Sequence, residues 1–139
     1  MRRATAAAVL ALTFVSGVSR AETAANLYLL HCSGCHGLDG IGSRTGRVPP
    51  FPGFLGPIAK ARNGRAYLVL VPGVANADLQ DADAAAVLNY ALRTWANGAG
   101  ADFSPDEVKD IRKHPVQDII GVRNGIAAEL KAQGVSIAY

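Results

Sequence analysis

The sequence predicts an all-α protein, and three stretches carry that prediction. Ala84, Val87, Leu88, Ala91, Leu92 and Trp95 recur at three- and four-residue steps through 81–96, the pattern of a helix with one buried face. Ser104-Pro105-Asp106-Glu107 has the form of a capping box with proline at the first helical position. Ile119, Val122, Ile126 and Leu130 give a last amphipathic helix over 118–133. Tyr67 to Val71, by contrast, is rich in β-formers.

The elements follow in order. Met1-Arg2-Arg3 is a short basic start, Ala4 to Val18 is mostly apolar, and Ser19-Arg20-Ala21 sets small residues three and one positions before a cut at Glu22. That is the layout of a secretory signal peptide over 1–21, and its apolar run is too short for a membrane-spanning helix. Thr23 to His31 reads as the first helix, with Leu27, Tyr28 and Leu30 as apolar surface. Residues 37–57 are dense in glycine and proline and read as loop. Residues 59–70 admit a short helix or an extended stretch, and Pro72-Gly73 reads as a turn. Asp81 and Asp83 suit the positive end of the 81–96 helix, which Asn97-Gly98 stops. The helix opened by Ser104 should end near His114, before Pro115. Gly134 stops the last helix, within which Gly121 and Gly125 weaken the pattern or mark a close contact.

Charge narrows the function classes. The 139-residue chain has a formal charge of +3, and Arg2, Arg3 and Arg20 account for all of it, so the chain from Glu22 onward is formally neutral. Nucleic-acid binding has no support in such a balance.

The chemistry lies in Cys32-Ser33-Gly34-Cys35-His36, which holds both cysteines of the chain. C-x-x-C-H is the attachment pattern of a c-type haem. Two intervening residues match the separation of two vinyl groups on one side of the ring, and the adjacent imidazole reaches the iron. Two other readings compete. A thioredoxin-type redox pair follows a strand and opens a helix, whereas this motif follows a helix and opens a loop. A structural zinc needs two further clustered ligands, and only His31 and His114 remain as histidines.

Residues 22–97 resemble the class I c-type cytochromes, small monohaem domains. The resemblance rests on Ala24-x-x-x-Tyr28-x-x-x-Cys32-x-x-Cys35-His36-Gly37, the following Gly/Pro loop, and a helix with Tyr90 ahead of Leu92. It implies a cytochrome c-like helical fold around one covalent haem, with Ala24, Tyr28 and Tyr90 at a helix crossing. It also implies that His36 is the proximal ligand, its ring N–H bonded to a proline carbonyl about a dozen residues on, at Pro49 or Pro50. Stiffening of the loop is the other role open to that pair. Residues 98–139 have no counterpart in the minimal domain and are expected to form two further helices packed on it.

The departure from the family is on the other side of the iron. Electron-carrier cytochromes c take methionine as second axial ligand, and the single methionine here is Met1. Val74 occupies the position where the family would place it. His114 is the best alternative ligand, with Lys60, Tyr67 and Asn76 weaker; a vacant or water-bound position walled by Leu70, Val71 and Val74 is the other expectation. The resemblance implies a periplasmic carrier of single electrons whose partner is a redox protein such as a periplasmic dehydrogenase or another cytochrome. The missing methionine raises an alternative, an open haem that binds or senses a small diatomic ligand. Weak peroxidase activity is a third, with His114 as its acid/base group. No nucleic acid and no membrane span after signal removal are expected.

Overall fold

The computed structural model describes residues 22–137, so the expected signal peptide lies outside the described residues. Among them the structure is helical, with one isolated antiparallel bridge between Ser43 and Val48. Helix α1 (Ala24–His31) starts at Thr23, whose Oγ1 accepts from Asn26 N at 3.2 Å. It passes through Cys32 into the single turn α2 (Ser33–His36). After the loop come α3 (Leu55–Lys60), α4 (Gly64–Leu70), α5 (Pro72–Ala75), α6 (Asp81–Trp95), α7 (Pro105–Arg112) and α8 (Ile119–Ala132).

The long helices lie where the hydrophobic period predicts them. The ambiguous stretch 59–70 resolves into two helices separated by Ala61-Arg62-Asn63, with Asn63 in the left-handed region at φ 62°. Its β-rich part is helical because Tyr67, Leu68 and Val69 are all buried there, and tertiary burial outweighs a weak intrinsic preference. Pro72-Gly73 opens the short helix α5 instead of making a simple turn, since proline's fixed φ suits the first helical position.

Helices α1 and α6 pack directly on each other. Tyr28, 2% exposed, sits at their contact with its ring centroid 5.7 Å from Tyr90 and 4.9 Å from Trp95. Ala24 is half-buried one turn earlier on α1. This is the aromatic crossing that the resemblance implies.

Helices α7 and α8 share the same core. Val108, Ile126 and Leu130 are buried in one cluster with Leu27, Val69 and Leu92. α7 packs on α6 and α4, and α8 on α4 and α3. Polar bonds pin the segment at several points. Asn89 on α6 exchanges two hydrogen bonds with the Phe103 backbone, Nδ2 donating to its carbonyl and Oδ1 accepting from its N–H, both at 2.9 Å. Arg65 on α4 makes a two-pronged pair with Glu107, 2.6 Å on each side, and also donates to Asp102 and the Gly100 carbonyl. Arg112 reaches Asp81 at 2.7 Å and the Leu79 carbonyl at 3.0 Å. The Ser104 hydroxyl accepts from Glu107 N at 3.1 Å as a capping box predicts, but the Glu107 carboxylate is spent on Arg65.

Candidate haem-attachment site

The motif owes its shape to the end of α1. The Cys35 and His36 amides both donate to the Cys32 carbonyl, at 3.2 and 3.0 Å, so the five residues form one helical turn. Cys32 and His36 are four apart and share a face of that turn. Cys32 is half-buried and Cys35 exposed, and both are free thiols.

His36 is held in one tautomer. Its Nδ1 lies 3.2 Å from the Pro49 carbonyl oxygen, which can only accept, so Nδ1 carries the proton and Nε2 keeps its lone pair. Of the two adjacent prolines, Pro49 is the one whose carbonyl reaches the imidazole; Pro50 follows it, half-buried. Burial lowers the His36 pKa and so favours the neutral ring, opposed in part by the Pro49 bond. Phe51 stacks on the imidazole with centroids 4.1 Å apart.

A small hydrogen-bonded loop sets these groups in place. The Gly42 amide donates to the His36 carbonyl at 2.8 Å, and the Phe51 amide donates to the Gly40 carbonyl at 2.7 Å. Gly42 has φ +72°, and a Cβ there would stand 2.3 Å from the Val48 carbonyl oxygen, so only glycine fits. The Tyr28 hydroxyl donates to the Gly37 carbonyl at 2.5 Å, tying the turn to the helix crossing. Burial foremost pushes the Tyr28 pKa up to about 12, so the hydroxyl stays a donor. Behind Phe51 stands Trp95, with ring centroids 5.3 Å apart. The roles of Phe51 and Trp95 escaped sequence reading. Phe51 was legible only as the residue two after Pro49, and Trp95 as one more apolar position of α6.

The competing readings fare worse on this geometry. Burial, then the neighbouring Cys35, pushes the Cys32 thiol up to about 11, which disfavours its thiolate as an exchange nucleophile. No group of three or more His, Cys, Asp or Glu side chains able to hold a metal ion occurs among the described residues. The donor set fits a haem instead: two free thiols on one turn, and a neutral imidazole whose Nε2 is left for iron by a bond at Nδ1.

The residues expected on the opposite side are less closely gathered. Tyr67 is buried on α4, Leu70 and Val71 are half-buried, and Val74 is half-buried on α5 against the core edge. Lys60 and Asn76 are exposed. His114 is exposed just past α7, and its Nδ1 donates to the Asp110 carbonyl at 3.0 Å. That bond is local, to the carbonyl four residues earlier in α7. His31 is exposed at the end of α1. No helix among the described residues is long and apolar enough to cross a membrane.

No family model matches the chain. Among curated proteins it is similar to a cytochrome c-552 from one strain of Thermus thermophilus, 29% identical over 126 residues, covering 75% of this chain and 84% of that protein. A second cytochrome c-552 of Thermus thermophilus is 32% identical over 103 residues, covering 58% of this chain and 78% of the relative. With that identity over most of the relative's length, and with its own C-x-x-C-H turn, the chain belongs to the c-type cytochromes.

Proposed function

We propose that this protein is a monohaem electron carrier working outside the cytoplasm, in the periplasm, and exchanging single electrons with a redox partner protein. One observation carries the reading: the His36 Nδ1–H is committed to the Pro49 carbonyl, which leaves the Nε2 lone pair as a ligand. Cys32 and Cys35 would hold the haem by two thioether bonds, and His36 would be the axial ligand. Bound there, the group supplies a one-electron iron couple. The chain's own residues do the rest. Pro49 orients the imidazole and strengthens its donation. Phe51 covers one ring face and keeps water from it. Tyr28 anchors the turn through the Gly37 carbonyl, so His36 would have little room to shift.

The second axial position supports a further reading. Residues 2–139 contain no methionine, and by the family resemblance Val74, a hydrocarbon, falls where one would stand. A haem held there would find no methionine for its sixth position, and Leu70, Val71 and Val74 would wall that side and leave it to a small diatomic ligand. The exported protein should exceed the mass of the chain from Glu22 by one haem, and Cys32→Ala or Cys35→Ala should sharply reduce holoprotein. A bare polypeptide mass overturns the carrier reading. Reduced holoprotein should bind carbon monoxide readily. Low-spin, gas-inert iron that becomes reactive in His114→Ala would instead assign the sixth position to His114.

A further inference from the structure

Helix α5, which carries Val74, is tied to the rest of the molecule chiefly through α4. The Val71 amide donates to the Tyr67 carbonyl at 2.9 Å, and the Val74 and Ala75 amides both donate to the Val71 carbonyl at 2.8 Å, so α5 continues directly from the end of α4. Among the closely packed helix pairs, α5 pairs with α4. Helix α4 packs on α3, and it is also held from outside the 22–97 segment, by α7 and α8. Its entry has no side-chain cap of its own, with Asn63 left-handed at the N-cap. Instead Glu129 on α8 accepts from the preceding Arg62 amide through both carboxylate oxygens, at 3.1 and 3.2 Å. One residue into the helix, the Arg65 guanidinium is gripped by Glu107 on α7, by Asp102 and by the Gly100 carbonyl, and lies 3.8 Å over the Phe103 ring. Such a fork-on-fork pair fixes orientation as well as distance.

We propose that Arg65 is a positioning residue for the sixth-coordination side. Held by Glu107 and Asp102, it sets α4, and through α4 the wall formed by Val71 and Val74, so the 98–137 segment governs access to the iron. This rests on the reading above that α5 walls the sixth position. The Lys113–Asp110 pair, 3.3 Å apart at the end of α7, joins that helix end to itself and serves as an internal control on the same helix as Glu107.

The test uses reduced holoprotein as wild type, Glu107→Gln, Arg65→Lys, the exchanged pair Arg65→Glu with Glu107→Arg, and the control Asp110→Asn. Carbon monoxide association and amide hydrogen exchange at Val71, Val74, Ala75 and Asn76 are measured on each. In Glu107→Gln both should speed up by about tenfold, the order set by one lost charge-assisted hydrogen bond. Arg65→Lys keeps the charge but loses the fork and should fall between. The exchanged pair should recover part of the loss, and Asp110→Asn should match wild type. Exchange at these amides unchanged in Glu107→Gln, or equally raised in Asp110→Asn, overturns the proposal whatever the gas does. If wild type fails to bind carbon monoxide while the exchange pattern is as expected, the open-site reading falls and the mechanical link from Arg65 to α5 stands.

Discussion

Removing the Asn89 side chain should cost a large share of the stability of this fold. Asn89 lies on the buried face of α6, 9% exposed, and its amide is engaged by the two 2.9 Å bonds to Phe103. Phe103 is 4% exposed, so in Asn89→Ala its N–H and C=O stay buried without a partner. An orphaned buried polar group costs about 1–3 kcal/mol, and two of them place the loss at roughly 3 kcal/mol, against a typical total of about 5–15 kcal/mol. Asn89→Asp keeps the acceptor for the Phe103 amide but sets a carboxylate against its carbonyl, so it should lose at least as much. Urea unfolding of holoprotein followed by far-ultraviolet circular dichroism measures both, with a lower midpoint and an unchanged slope expected. If both variants stay within about 0.5 kcal/mol of wild type, water replaces the amide and the segment before α7 is not docked on α6.

Two further outcomes follow from the packing. Gly64→Ala should lower the thermal midpoint despite alanine's better helix propensity, because a Cβ there would stand 1.7 Å from the Ile58 carbonyl oxygen; a loss of about 1–3 kcal/mol is the usual cost of such overpacking, and an unchanged midpoint would refute the close approach of α3 and α4. Tyr28 keeps its proton in the folded state to about pH 12 but releases it near pH 10 when unfolded, so its contribution is intact below pH 10 and declines as pH rises toward 12. Tyr28→Phe should therefore flatten the alkaline limb of the stability profile, and an unaltered limb would show that other groups cause it.

Sequence by itself determined the chemistry and the long helices of this protein. C-x-x-C-H is a local motif whose meaning is set by covalent spacing, and Asp81–Trp95 and Ile119–Ala132 declare themselves through one buried face each. The Tyr28–Tyr90 contact was legible too, because both partners sit at fixed points of recognisable helices. What only the tertiary structure decided depends on residues far apart in the chain. Choosing Pro49 over Pro50 required the path of the loop, which Gly42 permits by its close approach to Val48. The helical state of Tyr67 to Leu70 is imposed by burial against the local β preference. The attachment of 98–137 rests on Asn89, Arg65 and Glu129, polar residues whose partners lie 14, 42 and 67 positions away. A hydrophobic period shows which face of a helix is inward, but carries no information about which distant carboxylate or carbonyl a buried polar group will find. That pairing is a property of the folded chain.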